Sequence, residues 1–444
     1  MPRERLRNVD RDTPLLLPID LRDWVRDDDL AHFILEVIRG VDLSRAQLNR
    51  RGSGSEQYPP GMMLALLIYC YASGIFSSRQ IELQTYRNLS VRYLAGNTHP
   101  DHDTLCKFRR ENMELIKDAF REVLQVASAL KLPQMGTVCL DGTKVLASAS
   151  TRRTFREKEL QAEEERLNLA IAELLQKAEA ADSTPAPEAG DLPEQLQGKE
   201  RLRERVREAQ ALLRAQAQER TRQREADRAA WQQNPIGECP RKRKPEPAPD
   251  ERINLTDPQS SMMRLATGQY AQAYNAQLAV TAEGPTLIVA AEVCTERCDR
   301  LQLQPMVEAI EKSCGGSFER IVADRGYDNA RQIHAVETRS GVAVVCRPQP
   351  TSGKANSRHR KARHRLMTQA IRARMKERAD SEEGKRWLRR RSTTVEPTFG
   401  ILKSALGFRQ FRLRGLEKVN IEWKLLAVSF NCLRVCRARR TAKL

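Results

Sequence analysis

A chain of 444 residues with a formal charge of +18 can bury a sizeable core in two or three domains. No apolar stretch is long enough to span a bilayer and no signal peptide opens the chain, which argues against a membrane as the partner of so basic a surface. The excess is local: residues 351–444 hold 26 Lys/Arg against 7 Asp/Glu, which suits a phosphate backbone and strongly salt-dependent binding.

Residues 1–132 read as an all-helical domain. After the acidic run Asp27–Asp29, apolar positions recur at helical spacing from Leu30 through Phe33, Ile34 and Val37 to Val41. The segment PPGMMLALLIYCYASG opens with prolines suited to a helix start, is apolar on nearly every face and stops at Gly74, so it predicts a buried helix. Shorter helices follow, one of them behind an Asp/Thr cap at HPDHDT. This succession leaves room for a helix-turn-helix-like unit, with ordinary helical packing as the alternative.

Strand patterns begin after residue 132. Within residues 133–150, TVCLD and TKVLASAS read as one pair of strands, and AYNAQLAV with TLIVAAEV as a second pair further on. Residues 151–250 interrupt them. Leu160, Leu167, Ile171 and Leu174 mark one amphipathic helix, and Leu202, Val206, Ala209 and Leu213 mark another. A Pro/Gly-rich hinge, STPAPEAGDLPEQ, separates the two, so an antiparallel coiled-coil hairpin is expected, followed by a flexible basic linker at Cys239–Arg252. Residues 251–444 then alternate helices and strands, with RIVAD and GVAVVC as strands, before the final basic helices. Alternation of this kind implies an α/β core around a mixed sheet.

Three acids stand in distinct contexts. Asp141 ends the apolar run 137–140 and opens DGTKV, Asp324 ends RIVA and opens DRGYDN, and Glu396 sits in RRRSTTVEPTFGILK, where an extended stretch is expected to become a helix. Carboxylates at the ends of buried strands can hold two divalent cations ~3.5–4 Å apart, which stabilise the attacking and leaving oxygens of an in-line phosphoryl displacement. The bland reading of an Asp at a strand end is a turn former. Asp328 rivals Asp324 from four residues away, and Glu296, Asp299 and Asp257 either tune bound metals or cap turns. The ten cysteines show no CxxC pair at zinc-finger spacing, although Cys294/Cys298 and Cys432/Cys436 fall at helical spacing. They read as buried or free thiols of a reducing compartment.

Together these segments resemble the DDE transposases of bacterial insertion sequences, in particular the group numbered eleven eighty-two. The likeness is carried by an ordered set: PPGMMLALLIYCYASGIFSSRQIE, RYLAGNTHPDHDTLCKFRR, LDGTKVLASAS, TDPQSSMMRLATGQYAQAYNAQLAV, ADRGYDN and the tail from RRRSTTVEPTFGILK onward. It implies an RNase H-like core with Asp141, Asp324 and Glu396 as catalytic metal ligands and Mg²⁺ as cofactor, Mn²⁺ substituting. Water would attack a phosphodiester at the element's end, and the freed 3′-hydroxyl would attack target DNA. In related transposases a Lys seven residues after the Glu holds DNA, which selects Lys403, although Pro397 disfavours helical geometry at Glu396 and makes itself the expected first helical residue. An Arg is expected shortly before the Glu; Arg389, Arg390 and Arg391 are available, but Ser392 occupies the fourth position back. Arg409, Arg412 and Arg414, with Lys418, form a basic face suited to DNA backbone.

The expected partner is double-stranded DNA, at element ends and target, bound by a homodimer or larger assembly in the bacterial cytoplasm near the nucleoid. Two other functions fit the residues: a nuclease of the same fold that cuts without joining, and a catalytically silent DNA-binding protein.

Overall fold

The computed structural model describes residues 20–48, 56–132, 134–182, 192–237, 239–315, 318–349 and 362–442. Six helices come first: α1 (Leu30–Arg39), α2 (Pro60–Ala72), α3 (Ser78–Arg87), α4 (Leu89–Leu94), α5 (His102–Glu111) and α6 (Met113–Ala129). Their caps follow the sequence. Asp29, Asn88 and Asp101 each accept a hydrogen bond from a backbone amide of the first turn, satisfying a donor the helix cannot. Helix α2 is buried without interruption from Met63 to Ala72, as its composition requires.

One strand, β1 (Gln134–Leu146), replaces the expected pair TVCLD and TKVLASAS. Asp141 and Gly142 do not turn the chain, because both stay in register with Leu278 and Gln277 of the antiparallel neighbour. The full set of strands continues with β2 (Thr154–Arg156), β3 (Arg252–Asn254), β4 (Ser261–Arg264), β5 (Tyr270–Glu283), β6 (Ile288–Cys294), β7 (Arg320–Val322) and β8 (Ala343–Val345). The central sheet runs β4-β5-β1-β7-β8, and β6 shares with β4 the outer edge of β5. Strands β4, β6 and β1 are antiparallel to β5, whereas β7 runs parallel to both β1 and β8. The expected hairpin AYNAQLAV/TLIVAAEV is thus β5–β6.

Between β2 and β3, which pair with each other, lie α7 (Glu157–Asp182) and α8 (Leu192–Gln233). These two helices run antiparallel, since Asn168 meets Arg203, Glu164 meets Arg207 and Glu157 meets Arg214. Leu160 and Leu167 pack on Val206, Ala209 and Leu213, and the small β2–β3 sheet closes this second core with Ile253 and Leu255. Most of the hinge between the helices, residues 183–191, lies outside the described residues. The basic linker after α8 carries no helix or strand between Lys242 and Asp250.

The remaining helices are α9 (Leu303–Cys314), α10 (Ala330–Ser340), α11 (Ala362–Asp380), α12 (Glu382–Ser392), α13 (Val395–Gly400) and α14 (Leu416–Ala442). Helix α14 packs on α2, α6 and β6. A single apolar cluster therefore runs from Val25 through the central sheet to Cys436. Cys432 and Cys436 lie buried one turn apart on α14, but Cys294 ends a strand and Cys298 is exposed in the loop after it, so the helical spacing of that first pair is incidental. No helix among the described residues is long and apolar enough to cross a membrane.

Candidate active site

Strand β1 has different neighbours along its two halves on one edge. Residues Thr137–Cys139 pair with β7, while Leu146 bridges Gln410, and its backbone exchanges hydrogen bonds with Arg409 and Phe411. The edge between is reached by side chains instead. Asp141 therefore lies mid-strand, not at a strand end, and it faces the point where β1 loses its strand partner.

Asp324 lies two residues past the end of β7, after Ala323. The parallel register Cys139↔Val322, carried two residues along each strand, sets Asp324 beside Asp141. Asp324 accepts a 2.7 Å hydrogen bond from the Gly326 amide and so caps the tight turn Arg325–Tyr327. The rival Asp328 turns away: it accepts from the Gln349 amide at 2.8 Å and lies 3.7 Å from Arg372. Asp257 is also elsewhere, accepting from Tyr274 Oη and the Gly415 amide, and Glu296 is exposed in the loop after β6.

Glu396 is preceded by a helix and a two-residue turn, not by an extended stretch. Val395 opens α13, and Pro397 is its third residue, because the first turn of a helix tolerates a missing amide. The Arg391 guanidinium ties the acids together, donating from Nη1 to Asp141 Oδ2 at 2.8 Å and from Nη2 to Glu396 Oε1 at 3.3 Å. It stands five residues before Glu396, at the end of α12. Helix α12 is held over the sheet by buried Trp387, which Arg320 overlies, and by Arg390, whose Nε donates to Ala282 O at 2.7 Å. Arg389 donates to Lys385 O on its own helix and leaves its guanidinium exposed.

Lys403 lies in a π-helical turn, Ile401–Ala405, which follows α13. The wider turn breaks the two-turn spacing expected from Glu396. Its Nζ instead donates to Thr143 Oγ1 at 2.6 Å and Lys144 O at 2.8 Å, beside the open edge of β1. Burial, with Lys144 nearby, draws its ammonium down to about 8. Arg409, Arg412, Arg414 and Lys418 are exposed, and Arg414 Nε reaches Ser148 O past the end of β1.

Asp299 is the acid that the structure adds to the site's floor. It accepts from Asn275 Nδ2 at 2.7 Å and Gln277 Nε2 at 2.6 Å, both side chains of β5. Gln277 in turn accepts from the buried Tyr327 hydroxyl. Gly142 is glycine for this reason: a Cβ there would collide with the Gln277 amide and the Asp299 carboxylate. Sequence alone gave Asp299 no precedence over Glu296 or Asp257, since its partners come from a strand more than twenty residues away.

Burial pushes the Asp141 carboxyl up to about 6; Arg391 opposes the shift and Asp324 adds to it. A raised carboxyl favours folding while protonated and loses that contribution as pH rises from the unfolded value of about 4 through 6. In chelator-containing buffer, wild type should therefore lose stability relative to Asp141→Asn between pH 4 and 6, by about 2–3 kcal/mol, with the gap constant above pH 7. Thermal melts of both proteins across this range check it, and parallel pH profiles would refute it.

Three carboxylates supply hard oxygen donors, the chemistry Mg²⁺ or Mn²⁺ prefers. Among the described residues no group of three Asp, Glu, His or Cys side chains is arranged to hold a metal ion. The strand register sets Asp324 near enough to Asp141 for their charges to repel, whereas Arg391 stands between Asp141 and the half-exposed Glu396. Carboxylates in an α/β core, beside a strongly basic C-terminal segment, suit an enzyme that acts on phosphodiesters, and the family comparison supplies the class, DNA transposase or nuclease. The family model described as Transposase domain (DUF772) matches residues 19–111, and that described as Transposase DDE domain matches residues 318–436, which include Asp324 and Glu396. The chain is a DDE transposase of the insertion-sequence kind. No curated protein and no solved structure matches it.

Proposed function

We propose that this transposase cuts at the ends of its own insertion sequence and joins the freed 3′ ends to target DNA by two-metal phosphoryl transfer. The observation that carries the reading is the parallel register of β1 and β7, which brings Asp324, two residues past the end of β7, beside Asp141, with Glu396 linked to Asp141 through Arg391. Three antiparallel strands followed by two parallel ones, ordered β6-β5-β1-β7-β8, support an RNase H-like core. The motif set supports membership of group eleven eighty-two, and the constant pairing along α7 and α8 supports a short coiled-coil hairpin.

In this reading Asp141, Asp324 and Glu396 would hold Mg²⁺, with Mn²⁺ able to replace it. Two such ions supply charge stabilisation at the attacking and leaving oxygens. Glu396, half-exposed at the start of α13, would join the two aspartates by giving up its Arg391 contact, which would release Arg391 Nη2 for a phosphate oxygen while Nη1 stays on Asp141. Arg389, Arg390, Lys403, Arg409, Arg412 and Arg414 contribute backbone contacts that position duplex DNA without reading its sequence. The protein works as a dimer or larger assembly, since two element ends must be joined, and acts on the DNA of the bacterial nucleoid in the cytoplasm.

Labelled element-end DNA incubated with the protein and Mg²⁺ or Mn²⁺ tests this. Metal-dependent cutting followed by joined products is the expected result. Cutting without joining would assign a nuclease, and binding with no chemistry under either metal would overturn the enzyme reading.

A further inference from the structure

Beside Asp324 a cleft of about 670 Å³ opens between α12 and the carboxyl ends of the parallel strands β7 and β8. Ligand crevices of open α/β sheets form at such strand ends, where the backbone leaves the sheet and exposes loops. Arg325 enters from the turn after β7, Arg347 from the segment after β8, and Lys385, Arg389 and Arg391 from α12. Two of these charges are compensated: Lys385 pairs with Glu382 at 2.8 Å, and Arg391 pairs with Asp141 and Glu396. Arg325, Arg347 and Arg389 are exposed, and no carboxylate among the described residues pairs with them.

Five cationic side chains against two carboxylates, Asp324 and Glu382, leave the cleft with an excess of positive charge that an anion would offset. They come from three separate elements and line the cleft up to the Asp324 carboxylate, so the anion they fit is extended. A guanidinium is weakly hydrated and presents a donor fork matched to phosphate oxygens. The other basic group, Lys403, Arg409 and Arg414, lies past the opposite end of the open β1 edge, beside Thr143 to Ser148. The carboxylates thus stand between two cationic surfaces, and the cleft is one of them.

We propose that the cleft seats the phosphodiester backbone of duplex DNA immediately to one side of the scissile phosphate, with Arg325, Arg347 and Arg389 as its phosphate contacts. The inference rests on the transposase reading above and adds to it the path of the DNA and two residues, Arg325 and Arg347, outside the catalytic set.

The test is the salt dependence of element-end DNA binding by the full chain, for wild type, for the double variant Arg325→Ala/Arg347→Ala and for Arg339→Ala. Arg339 is a control because it is already engaged by Glu308 and Glu311 on the α9–α10 surface. Losing two phosphate contacts should lower the slope of log affinity against log salt by about 1.8, at roughly 0.9 per contact. The control should keep the wild-type slope. Methylphosphonate substitution at single phosphates next to the cleavage site should weaken wild type at one or two positions and leave the double variant indifferent there. Matching thermal melts exclude misfolding of the variants, whose replaced side chains are exposed. A double variant with the wild-type slope and the wild-type methylphosphonate profile, in a protein that still cuts, overturns the cleft and leaves the transposase chemistry standing. A control that shifts as much as the double variant also overturns it, because net charge alone would then explain the loss. Failure of wild type itself to bind and cut element-end DNA overturns both readings.

Discussion

Asp141→Asn, Asp324→Asn and Glu396→Gln each lower the rate of cutting at the element end by a thousandfold or more, while binding of the same DNA stays within about threefold. The size follows from what the carboxylates do in the proposed reaction. Charge stabilisation by bound metal is worth several kcal/mol in phosphoryl transfer, and each 1.36 kcal/mol is a factor of ten. Binding survives because it depends on guanidinium and ammonium contacts to phosphates, none of which these substitutions remove. Residues acting as one unit are non-additive, so the triple variant should be little slower than the worst single one. Asp328→Asn is the internal comparison. Its carboxylate serves the Gln349 amide and Arg372, so its loss should lower stability without a specific loss of cutting in the folded fraction. Cutting by the Asp324 variant at a rate near wild type would refute the assignment of that acid. A selective loss in the Asp328 variant would transfer the role to its neighbour.

The second large effect lies far from the carboxylates, in a buried charge pair that fastens the N-terminal helices to α14. Glu422 of α14 and Arg109 of α5 are 0% and 3% exposed. Tyr71 Oη donates to Glu422 Oε1 at 3.0 Å and accepts from Arg109 Nη1 at 2.6 Å, and Arg109 also donates to Phe76 O. The other Glu422 oxygen accepts from the Arg412 and Leu413 amides at 2.8 and 2.9 Å. Truncating one partner strands a charge in an apolar interior, which typically costs 3–5 kcal/mol. Glu422→Ala should therefore lower stability by about 3–5 kcal/mol, and Arg109→Met by a similar amount, both read from denaturant midpoints. The double variant Arg109→Met/Glu422→Leu should recover part of the loss, because it removes the stranded charge but leaves the Arg412 and Leu413 amides and the Tyr71 hydroxyl without their acceptor. Single variants within 1 kcal/mol of wild type, or a double variant no better than either, would show that the pair is not the fastening.

That network also reaches the site. The amides held by Glu422 belong to the segment that, at Arg409–Phe411, lies along the end of β1. Lys403, whose carbonyl accepts from Arg409 Nε, lies just upstream on the same run of chain. Loosening Glu422 therefore disturbs the surface past one end of the carboxylates as well as the core.

Local patterns in the sequence settled a good deal. The apolar run of α2 has one destination, the interior, and the spacing of Leu160, Leu167, Val206, Ala209 and Leu213 fixed which faces of α7 and α8 meet. The β5–β6 hairpin, the position of Asp324 just past a short strand and the concentration of positive charge near the C-terminus were equally legible, because each depends on neighbours in the chain. Tertiary structure decided the rest. Asp141 and Gly142 are residue types that favour turns, yet they continue β1 because β5 supplies a ladder on one side. Arg391 could not be told from Arg389 and Arg390 in sequence; it meets Asp141 across 250 residues because Trp387 and Arg390 set the roll of α12 on the sheet. Asp299 joined the site's floor through Asn275 and Gln277, and Lys403 moved to the β1 edge because a π-helical turn intervenes. Sequence periodicity reports which face of an element is apolar, but a carboxylate takes its role from the cations and amides that folding brings within hydrogen-bond reach.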